Sequence, residues 1–213
     1  MNRPVYLQQP PAWFSSRILV GPGEMLTPFF VSRNRISHVI NCAQDEYCPK
    51  WWKLRHHDKY VVLNAIDSHY HNILDWYPAF EHTLRMFLRD GPLDGVVYVH
   101  CQAGMNRSAS LALAYVCKNY ALPFDGVVTA VRRQRPCILQ NPVFMTQVRD
   151  FINHGHLSSA QNTRLDVDRV HDRDSGLFTS DNRAGIERVQ DTANVTPRRD
   201  GYPEIRDFGT LRK

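Results

Sequence analysis

The most informative segment of this chain is VHCQAGMNRSAS, from Val99 to Ser110. An apolar run that is typical of a buried strand, Gly95–Val99, comes before it, and a segment that is apolar nearly all round, Ser108–Tyr120, comes after it. A strand, a short loop and a buried helix therefore follow one another directly. Such a loop turns several backbone N–H groups toward one point in front of the helix, where the helix dipole favours an anion.

Cys101 and Arg107 stand six residues apart, at the two ends of this loop. The spacing lets the loop close around one group, with the thiol at the base and the guanidinium alongside. A guanidinium grips two phosphate oxygens at once, and the loop N–H groups also stabilise a thiolate, which makes Cys101 a candidate nucleophile. Gly104 permits a close approach of the backbone that a Cβ atom would hinder. The phosphate-binding residues that this pattern predicts are Gln102, Ala103, Gly104, Met105, Asn106 and Arg107.

The alternative interpretation of the same residues is structural. A single cysteine at the end of a strand is usually a small packing residue, and a single arginine is usually a surface charge. The complete pattern His-Cys-x5-Arg-Ser between a strand and a helix is far more specific, so it favours catalysis over packing. Within that pattern, His100 is expected to support the loop through hydrogen bonds.

Short apolar runs alternate with helical patterns from Arg17 to about Gly155, which indicates an α/β fold. The predicted strands are Arg17–Val20, Ser37–Cys42, Tyr60–Ile66 and Gly95–Val99. One helix is predicted to begin near Trp76, and the others to span Ser108–Tyr120, Pro123–Arg133 and Asn141 to about His154. The solvated side of the third helix and its exit are predicted to consist of Arg132, Arg133 and Arg135.

The composition divides the chain into three parts. Residues 1–14 are predicted to be an N-terminal extension and residues 15–154 the catalytic domain. Residues 155–213 are dense in Arg, Asp, Asn, Ser and Thr, and their apolar residues show no sustained period. Such a segment cannot bury enough apolar surface to offset its ordering entropy, so it is predicted to be a disordered polar tail, with docking of a protein partner as its candidate role.

The net charge of +5 and the pI near 9.0 favour an anionic partner. The basic surplus belongs to residues 1–154, because residues 155–213 hold 10 Lys/Arg against 10 Asp/Glu. Five cysteines without framework spacing argue against a disulfide-stapled secreted domain, and no cysteine and histidine spacing indicates a structural zinc site. With no apolar run of signal-peptide or membrane-helix length, the sequence predicts an intracellular protein, cytoplasmic or nuclear, that has no membrane partner.

The segment VHCQAGMNRSASLALAYV resembles the active-site signature of the dual-specificity protein phosphatases, a family of the cysteine-dependent protein tyrosine phosphatase superfamily. Two flanking segments, RISHVINCA and RQRPCILQNPVFMTQVRDF, support the resemblance, which covers roughly residues 15–154. The resemblance implies a central, mostly parallel sheet of about five strands with helices on both faces. It also implies hydrolysis of phosphotyrosine and phosphoserine or phosphothreonine through a phosphocysteine intermediate. A phosphorylated protein is then the expected substrate, with no metal, no organic cofactor and no nucleic acid.

Expelling an alkoxide or a phenoxide requires a proton donor, which later serves as the base that activates water. Asp67 follows the predicted strand Tyr60–Ile66 and lies 34 residues before Cys101, a placement similar to that of the family's acid loop. Asp75 is the rival candidate, although its position ahead of the helix that begins WYPAF also suits a helix cap. The resemblance implies that Ser108 hydrogen-bonds the cysteine sulfur, and capping of the following helix is the other role open to it.

Cys42, in the segment VINCAQ, matches a second cysteine that some related phosphatases carry. In those relatives it forms a reversible disulfide with the nucleophile, so Cys42 is a candidate redox partner of Cys101. A small packing residue is the alternative interpretation, and the sequence leaves both open.

Two other functions also stay open. An RNA 5′-triphosphatase of the same superfamily fits the basic domain and the Gly-x-Asn-Arg of the loop, but such relatives usually carry Thr-His where this chain has Gln102 and Ala103. A module that binds phosphate groups without hydrolysing them is the second alternative. Inactive relatives typically lose the cysteine, whereas this chain retains Cys101, Asp67 and Arg107.

Overall fold

The computed structural model describes residues 4–154 of the 213-residue chain, so the predicted tail, residues 155–213, lies outside the described residues. A mixed sheet forms the centre of the described part. Its strands are β1 (Ala12–Ser15), β2 (Ile18–Pro22), β3 (Ile36–Asn41), β4 (Tyr60–Val62) and β5 (Val96–Cys101). Their order is β1-β2-β5-β3-β4, and all neighbours are parallel except β1 and β2. The predicted α/β fold with a mostly parallel sheet is confirmed.

Helices connect the strands and pack on the two faces of the sheet. In chain order they are α1 (Val5–Gln8), α2 (Pro28–Arg33), α3 (Lys50–Arg55), α4 (Tyr77–Asp90), α5 (Arg107–Tyr120), α6 (Phe124–Gln134) and α7 (residues 142–154). The larger core contains side chains of α4, α5, α6 and α7, and the smaller core contains side chains of α2 and α3. Among residues 4–154, no helix has both the length and the apolar character that crossing a membrane requires.

The central strand β5 is buried along its whole length, as its apolar composition predicts for a strand covered on both faces. Its side chains alternate between the two faces of the sheet. Val97, Val99 and Cys101 belong to the larger core, whereas Val96 and Tyr98 belong to the smaller one. The alternation therefore turns Cys101 toward the face that carries α5.

Strand β4 is shorter than predicted. It ends at Val62, whereas the prediction extended to Ile66, because Asn64 adopts a left-handed conformation with a φ of 55° that interrupts the extended backbone. The chain nevertheless continues alongside β3, since the amide of Ala65 donates to the carbonyl oxygen of Cys42 across 3.0 Å. The end of this segment therefore stays close to the end of β5.

Strand β1 and the three short helices α1, α2 and α3 are absent from the prediction. β1 follows two prolines and lies at the edge of the sheet, where it pairs with β2, so its local sequence carries little strand signal. Its first three residues fall within the stretch predicted as an N-terminal extension, and two of them, Ala12 and Phe14, are buried. The helices α2 and α3 have 6 residues each, too few for a helical period to be recognised.

Candidate active site

The loop between β5 and α5 lies at the carboxyl end of the central strand, the edge of a parallel sheet at which α/β proteins bind ligands. Cys101 is the last residue of β5, and Arg107 is the first residue of α5. Cys101 is 2% exposed, and the side chain of Arg107 is 7% exposed. The structure thus gathers the thiol and the guanidinium in one buried place, at the two ends of a single loop.

Gly104 fixes the path of this loop. Its φ of 61° lies in the left-handed region, which glycine adopts without steric cost. A Cβ atom here would lie 2.1 Å from the carbonyl carbon of Gly21 and 2.4 Å from the nitrogen of Pro22. The loop therefore rests directly on the end of β2, and a larger residue would displace it.

The carbonyl groups of the loop bond to the segment that follows α6. Arg135 donates to the carbonyl oxygen of Ala103 across 2.8 Å and to that of Gly104 across 3.1 Å. The amide of Leu139 donates to the carbonyl oxygen of Met105 across 2.8 Å. The C=O and N–H groups of one planar trans peptide unit point in opposite directions. The amides that follow these three carbonyls therefore turn toward the other side of the loop, which is the side predicted to bind phosphate.

Asn106 attaches the same loop by its side chain. Its Oδ1 accepts hydrogen bonds from the amides of Gln140 and Asn141, each across 3.1 Å. Among the other predicted phosphate-binding residues, Gln102 is exposed, Ala103 and Met105 are half-buried, and Gly104 is buried. The loop is thus exposed to solvent at Gln102, and hydrogen bonds of Asn106 attach it to the segment that precedes α7.

The guanidinium of Arg107 is held by groups from two other loops. Its Nη1 donates to the carbonyl oxygen of Ala65 across 3.2 Å and to Oε1 of Gln44 across 3.3 Å. Its Nε lies 3.6 Å from Oδ2 of Asp67. At that distance the two charged groups form an ion pair rather than a hydrogen bond. The structure therefore brings the predicted proton donor to the loop.

Asp75, the rival proton donor, lies elsewhere. It is exposed, within the short 3-10 turn Ile73–Trp76. Asn72 caps this turn, because its Oδ1 accepts the amide of Leu74 across 3.1 Å. Of the two acidic candidates, Asp67 is the one that faces the arginine of the loop.

The segment that follows Asp67 is fastened by one side chain of α7. Nε2 of Gln147 donates to the carbonyl oxygen of His71 across 3.1 Å, and its Oε1 accepts the amide of Ile73 across 3.0 Å. A single amide group thus bonds the backbone at two positions. This attachment limits the movement of the chain that carries the carboxylate.

Ser108 is fully buried, and its hydroxyl donates to the sulfur of Cys101 across 3.3 Å. The cap position of α5 belongs to Asn106, and no side chain caps the helix there. Of the two roles that the sequence left open for Ser108, the structure therefore shows the contact with the sulfur.

His100 is fully buried and stacks on Tyr98, with ring centroids 6.0 Å apart. Its Nδ1 lies 3.2 Å from the carbonyl oxygen of Cys101, so this nitrogen carries the proton and donates to that oxygen. Burial lowers the pKa of His100 to about 4, which keeps the imidazole neutral near neutral pH. A neutral histidine thus supports the start of the loop, where a supporting hydrogen bond was expected.

Cys42 is fully buried beside the site. Its amide donates to the carbonyl oxygen of His100 across 2.7 Å, which extends the pairing of β3 with β5. Burial raises the pKa of the Cys42 thiol well above its usual value, the nearby Cys101 raises it further, and Arg107 opposes the rise. Both cysteines are free thiols.

The chemistry of the assembled groups suits a tetrahedral anion. The loop supplies backbone amides, the Cys101 thiol lies at its start, the Arg107 guanidinium lies at its end, and the carboxylate of Asp67 lies 3.6 Å from that guanidinium. A phosphoryl group needs such converging donors and a fixed positive charge. Between residues 4 and 154, no set of three or more His, Cys, Asp or Glu side chains is arranged to hold a metal ion.

Among the residues that hold the site, Arg135 and Gln44 were missed by sequence reasoning. Arg135 was expected at the solvated exit of α6, but it is fully buried. A signal for its burial was present, because Val127, Val131 and Arg135 recur four residues apart and so share one helical face. Gln44 left no such signal, since it meets Arg107 from 63 residues away.

Residues 19–154 match the family described as dual specificity phosphatase, catalytic domain. The chain is 31% identical over 121 residues to a probable dual specificity protein phosphatase of Dictyostelium discoideum, covering 57% of this chain and 29% of that protein. It is 28% identical over 124 residues to dual specificity protein phosphatase 19 of Mus musculus, covering 56% of this chain and 51% of the mouse protein. The chain thus spans about half or less of the length of these curated relatives.

Solved structures show the same architecture. The crystal structure of the human tyrosine phosphatase-like serine/threonine/tyrosine-interacting protein superposes with a TM-score of 0.57 at 21% sequence identity. The superposition covers 67% of this chain and 95% of the human one. At this identity the likeness shows the fold alone.

Proposed function

Because this chain belongs to the dual specificity phosphatase family, we propose that it is a catalytically active protein phosphatase. Its substrates are proteins that carry phosphotyrosine and phosphoserine or phosphothreonine. Its reaction passes through a phosphocysteine on Cys101. The curated names of the mouse and Dictyostelium relatives describe phosphatases of this kind, which supports the reaction class.

The main support for the proposal is that the side chains of Cys101, Arg107, Ser108 and Asp67 lie close together at one loop. The hydroxyl of Ser108 lies 3.3 Å from the sulfur of Cys101, and the carboxylate of Asp67 lies 3.6 Å from Nε of Arg107. A nucleophile, its stabilising donor, an anion-binding cation and a proton donor are thus adjacent. Catalysis of phosphoryl transfer rests mainly on such positioning and charge stabilisation.

In the first step the thiolate of Cys101 attacks phosphorus in line with the leaving oxygen. A sulfur–phosphorus bond forms and the phosphorus–oxygen bond of the ester breaks. Asp67, which carries a proton when the anionic substrate occupies the loop and pairs with Arg107, gives that proton to the departing oxygen. Arg107 and the backbone amides from Gln102 onward hold the remaining phosphoryl oxygens. The products of this step are the free alcohol or phenol and the phosphocysteine.

In the second step water attacks the phosphocysteine. Asp67, now a carboxylate, accepts a proton from the water, and the sulfur–phosphorus bond breaks to release inorganic phosphate. The departing thiolate of Cys101 receives the hydrogen bond of Ser108, which stabilises the charge that develops on the sulfur. The site then returns to its starting state.

The accessibility of the site supports a broad substrate range. The side chain of Asp67 is 36% exposed, and Tyr70 in the same segment is 96% exposed. A proton donor this close to the surface suits a shallow cleft. The short side chains of phosphoserine and phosphothreonine reach into such a cleft, as does the longer phosphotyrosine. The tail as a docking segment for a partner is a further proposal, and it concerns residues outside the described part.

Cys42 belongs to the proposal as a redox partner. Oxidation of the Cys101 thiolate by a peroxide gives a sulfenic acid, and attack by the Cys42 sulfur then forms a disulfide and releases water. Two thiols lose two electrons in total, and one peroxide molecule accepts them. The adjacency of the two cysteines at the ends of β3 and β5 supports this pairing.

Hydrolysis of a small aryl phosphate and of matched phosphopeptides tests the proposal. The wild-type chain is expected to release phosphate from para-nitrophenyl phosphate and from phosphotyrosine and phosphothreonine peptides of one sequence. Cys101→Ser is expected to release none, because the hydroxyl is not ionised near neutral pH. Cys48→Ser, which changes a cysteine of the smaller core outside the loop, serves as the matched control and should retain full turnover.

The alternatives give different results in the same assay. A wild-type chain that binds the phosphopeptides and releases no phosphate is a binding module. Release of the terminal phosphate from triphosphate-ended RNA, without turnover of phosphopeptides, identifies an RNA 5′-triphosphatase. The presence of Gln102 and Ala103 after the cysteine argues against the RNA 5′-triphosphatase, and the presence of Cys101, Asp67 and Arg107 argues against the binding module.

A further inference from the structure

Arg135 is a fully buried arginine that lies behind the phosphate-binding loop. A guanidinium has five N–H groups, and here all five donate to backbone carbonyl oxygens. The two acceptors within the loop are Ala103, 2.8 Å from Nη2, and Gly104, 3.1 Å from Nε. The three acceptors near the N-terminus are Tyr6 at 2.8 Å, Gln9 at 2.9 Å and Pro10 at 3.1 Å.

These bonds determine which way two peptide units of the loop face. The carbonyl of Ala103 shares a planar unit with the amide of Gly104, and the carbonyl of Gly104 shares one with the amide of Met105. Because Arg135 binds both carbonyls from behind, both amides are directed to the front of the loop. These are amides that an oxyanion needs, so the arginine acts on the site through the backbone.

The buried charge of Arg135 also interacts electrostatically with the site. A buried cation is costly unless it is fully hydrogen-bonded and accompanied by negative charge. Burial lowers the pKa of the Arg135 guanidinium, and electrostatic interactions with the side chains of Cys137, Tyr98 and Cys101 oppose that change. The attraction between Arg135 and an ionised Cys101 is mutual, so the arginine also favours the thiolate.

The N-terminal segment that supplies three of the acceptors is itself fastened to the end of α6. Oε1 of Gln9 accepts the amide of Cys137 across 2.9 Å. The side chain of Gln134 bonds the backbone of Trp13 twice, accepting from its amide across 2.9 Å and donating to its carbonyl oxygen across 3.3 Å. Tyr6, Gln9 and Pro10 precede the range that matches the family, residues 19–154. This part of the arrangement therefore comes from this chain's own N-terminal residues.

We propose that Arg135 is a positioning residue of the phosphate-binding loop, and that residues 6–10 complete the site by holding that arginine in place. The inference rests on the proposed function, which it extends to residues that touch no substrate. Loosening of the N-terminal segment then weakens anion binding at a loop that is distant in sequence.

Two substitutions of Arg135 separate its geometry from its charge. Arg135→Lys keeps the charge but has only three N–H groups for five carbonyl oxygens, so tungstate affinity should fall about tenfold or more. Because the charge is kept, the pH midpoint of Cys101 alkylation by iodoacetamide should stay near the wild-type value. Arg135→Met removes both the hydrogen bonds and the charge, so tungstate affinity should fall and the pH midpoint of alkylation should rise. Arg133→Met, on the exposed side of α6, is the matched control and should change neither quantity.

A third variant tests the N-terminal segment without altering the arginine or the loop. Gln9→Ala removes the bond to the Cys137 amide and should weaken tungstate binding by a smaller factor than Arg135→Lys. Unchanged tungstate affinity in Arg135→Lys, with only a lower melting temperature, overturns the positioning role. Unchanged affinity in Gln9→Ala overturns the part assigned to residues 6–10. If Arg135→Met fails to fold, the other two variants still decide the question.

Tungstate binding and alkylation require no turnover. A wild-type chain that binds tungstate but hydrolyses no phosphate ester therefore overturns the proposed function and leaves the role of Arg135 to be judged by the same comparison. Conversely, normal turnover with unchanged affinity in both Arg135→Lys and Gln9→Ala overturns only the inference.

Discussion

The hydroxyl of Ser108 donates a hydrogen bond to the sulfur of Cys101 across 3.3 Å, within a fully buried environment. A hydrogen bond to a charged group contributes about 1.5–3 kcal/mol, so Ser108→Ala should lower kcat roughly 10- to 100-fold. The loss should fall on the second step, in which the thiolate leaves. Stopped-flow mixing with para-nitrophenyl phosphate should then show a burst of nitrophenolate followed by slow turnover. Ser110→Ala, a buried serine of the same helix, is the control and should show neither effect.

Asp67→Asn removes the proposed proton donor. We expect kcat/KM to fall by about 10²- to 10⁴-fold, the usual contribution of a positioned acid or base. The loss should be larger for phosphoserine peptides than for para-nitrophenyl phosphate, because nitrophenolate leaves readily without a proton. Comparison of the two substrates checks this. Equal losses on both substrates, or a comparable loss in Asp75→Asn, would contradict the assignment.

Gly104→Ala should disrupt the loop. The φ of 61° is strained for alanine, and its Cβ atom would lie 2.1 Å from the carbonyl carbon of Gly21. We expect the free energy of unfolding to fall by about 2 kcal/mol or more and tungstate binding to weaken strongly. Urea unfolding of Gly126→Ala gives the comparison, since this glycine lies within α6 and alanine there should be neutral or stabilising by up to about 1 kcal/mol.

Strand β5 and helix α5 were predictable because nearly all of their residues are buried. Strand β5 and helix α5 differ from their predicted bounds by one or two residues, since an uninterrupted apolar run describes a fully buried element well. The loop between them follows from the spacing of Cys101 and Arg107. The sequence predicted that Arg107 and Asp67 belong to one active site, but it did not predict their ion pair, because separation along the sequence gives no distance.

The parts that escaped prediction depend on backbone groups or on distant partners. The carbonyl oxygens of Tyr6, Gln9 and Pro10 bind Arg135. Every residue has a backbone carbonyl group, so the residue types do not reveal this interaction. Strand β1 is defined by its pairing with β2, and four residues after a pair of prolines have no recognisable period. Asn64 ends β4 through its backbone conformation, which an asparagine permits without requiring it.

His100 predicts a pH dependence of stability. Its pKa is about 4 in the folded protein against 6.5 ordinarily, so the unfolded chain binds the extra proton between these values. The stability from the neutral imidazole is complete above pH 6.5 and is lost as the pH falls toward 4, on the order of 3 kcal/mol in all. Urea unfolding across this range should show a flatter profile for His100→Asn than for the wild type. Parallel profiles would contradict the assignment.

Peroxide treatment tests the role of Cys42. Oxidised wild-type protein should contain a Cys42–Cys101 disulfide, visible by peptide mass analysis, and dithiothreitol should restore its activity. Because the pKa of Cys42 is raised by burial and by Cys101, its thiol is mostly protonated near neutral pH, so disulfide formation should speed up as the pH rises. Cys42→Ser should lose activity that dithiothreitol does not restore. Equal recovery in both proteins assigns Cys42 to packing alone.

Strand β5 occupies the middle of the sheet although it is the last strand within residues 4–154. β2 and β3 are synthesised earlier, but each has an unpaired edge until β5 arrives between them. The nascent chain therefore cannot close its sheet before Cys101 has left the ribosome, and its long-range strand pairing should make closure slow. Completion of the sheet and arrival of the nucleophile thus coincide during synthesis, and the helices α5, α6 and α7 that cover this face of the sheet follow them.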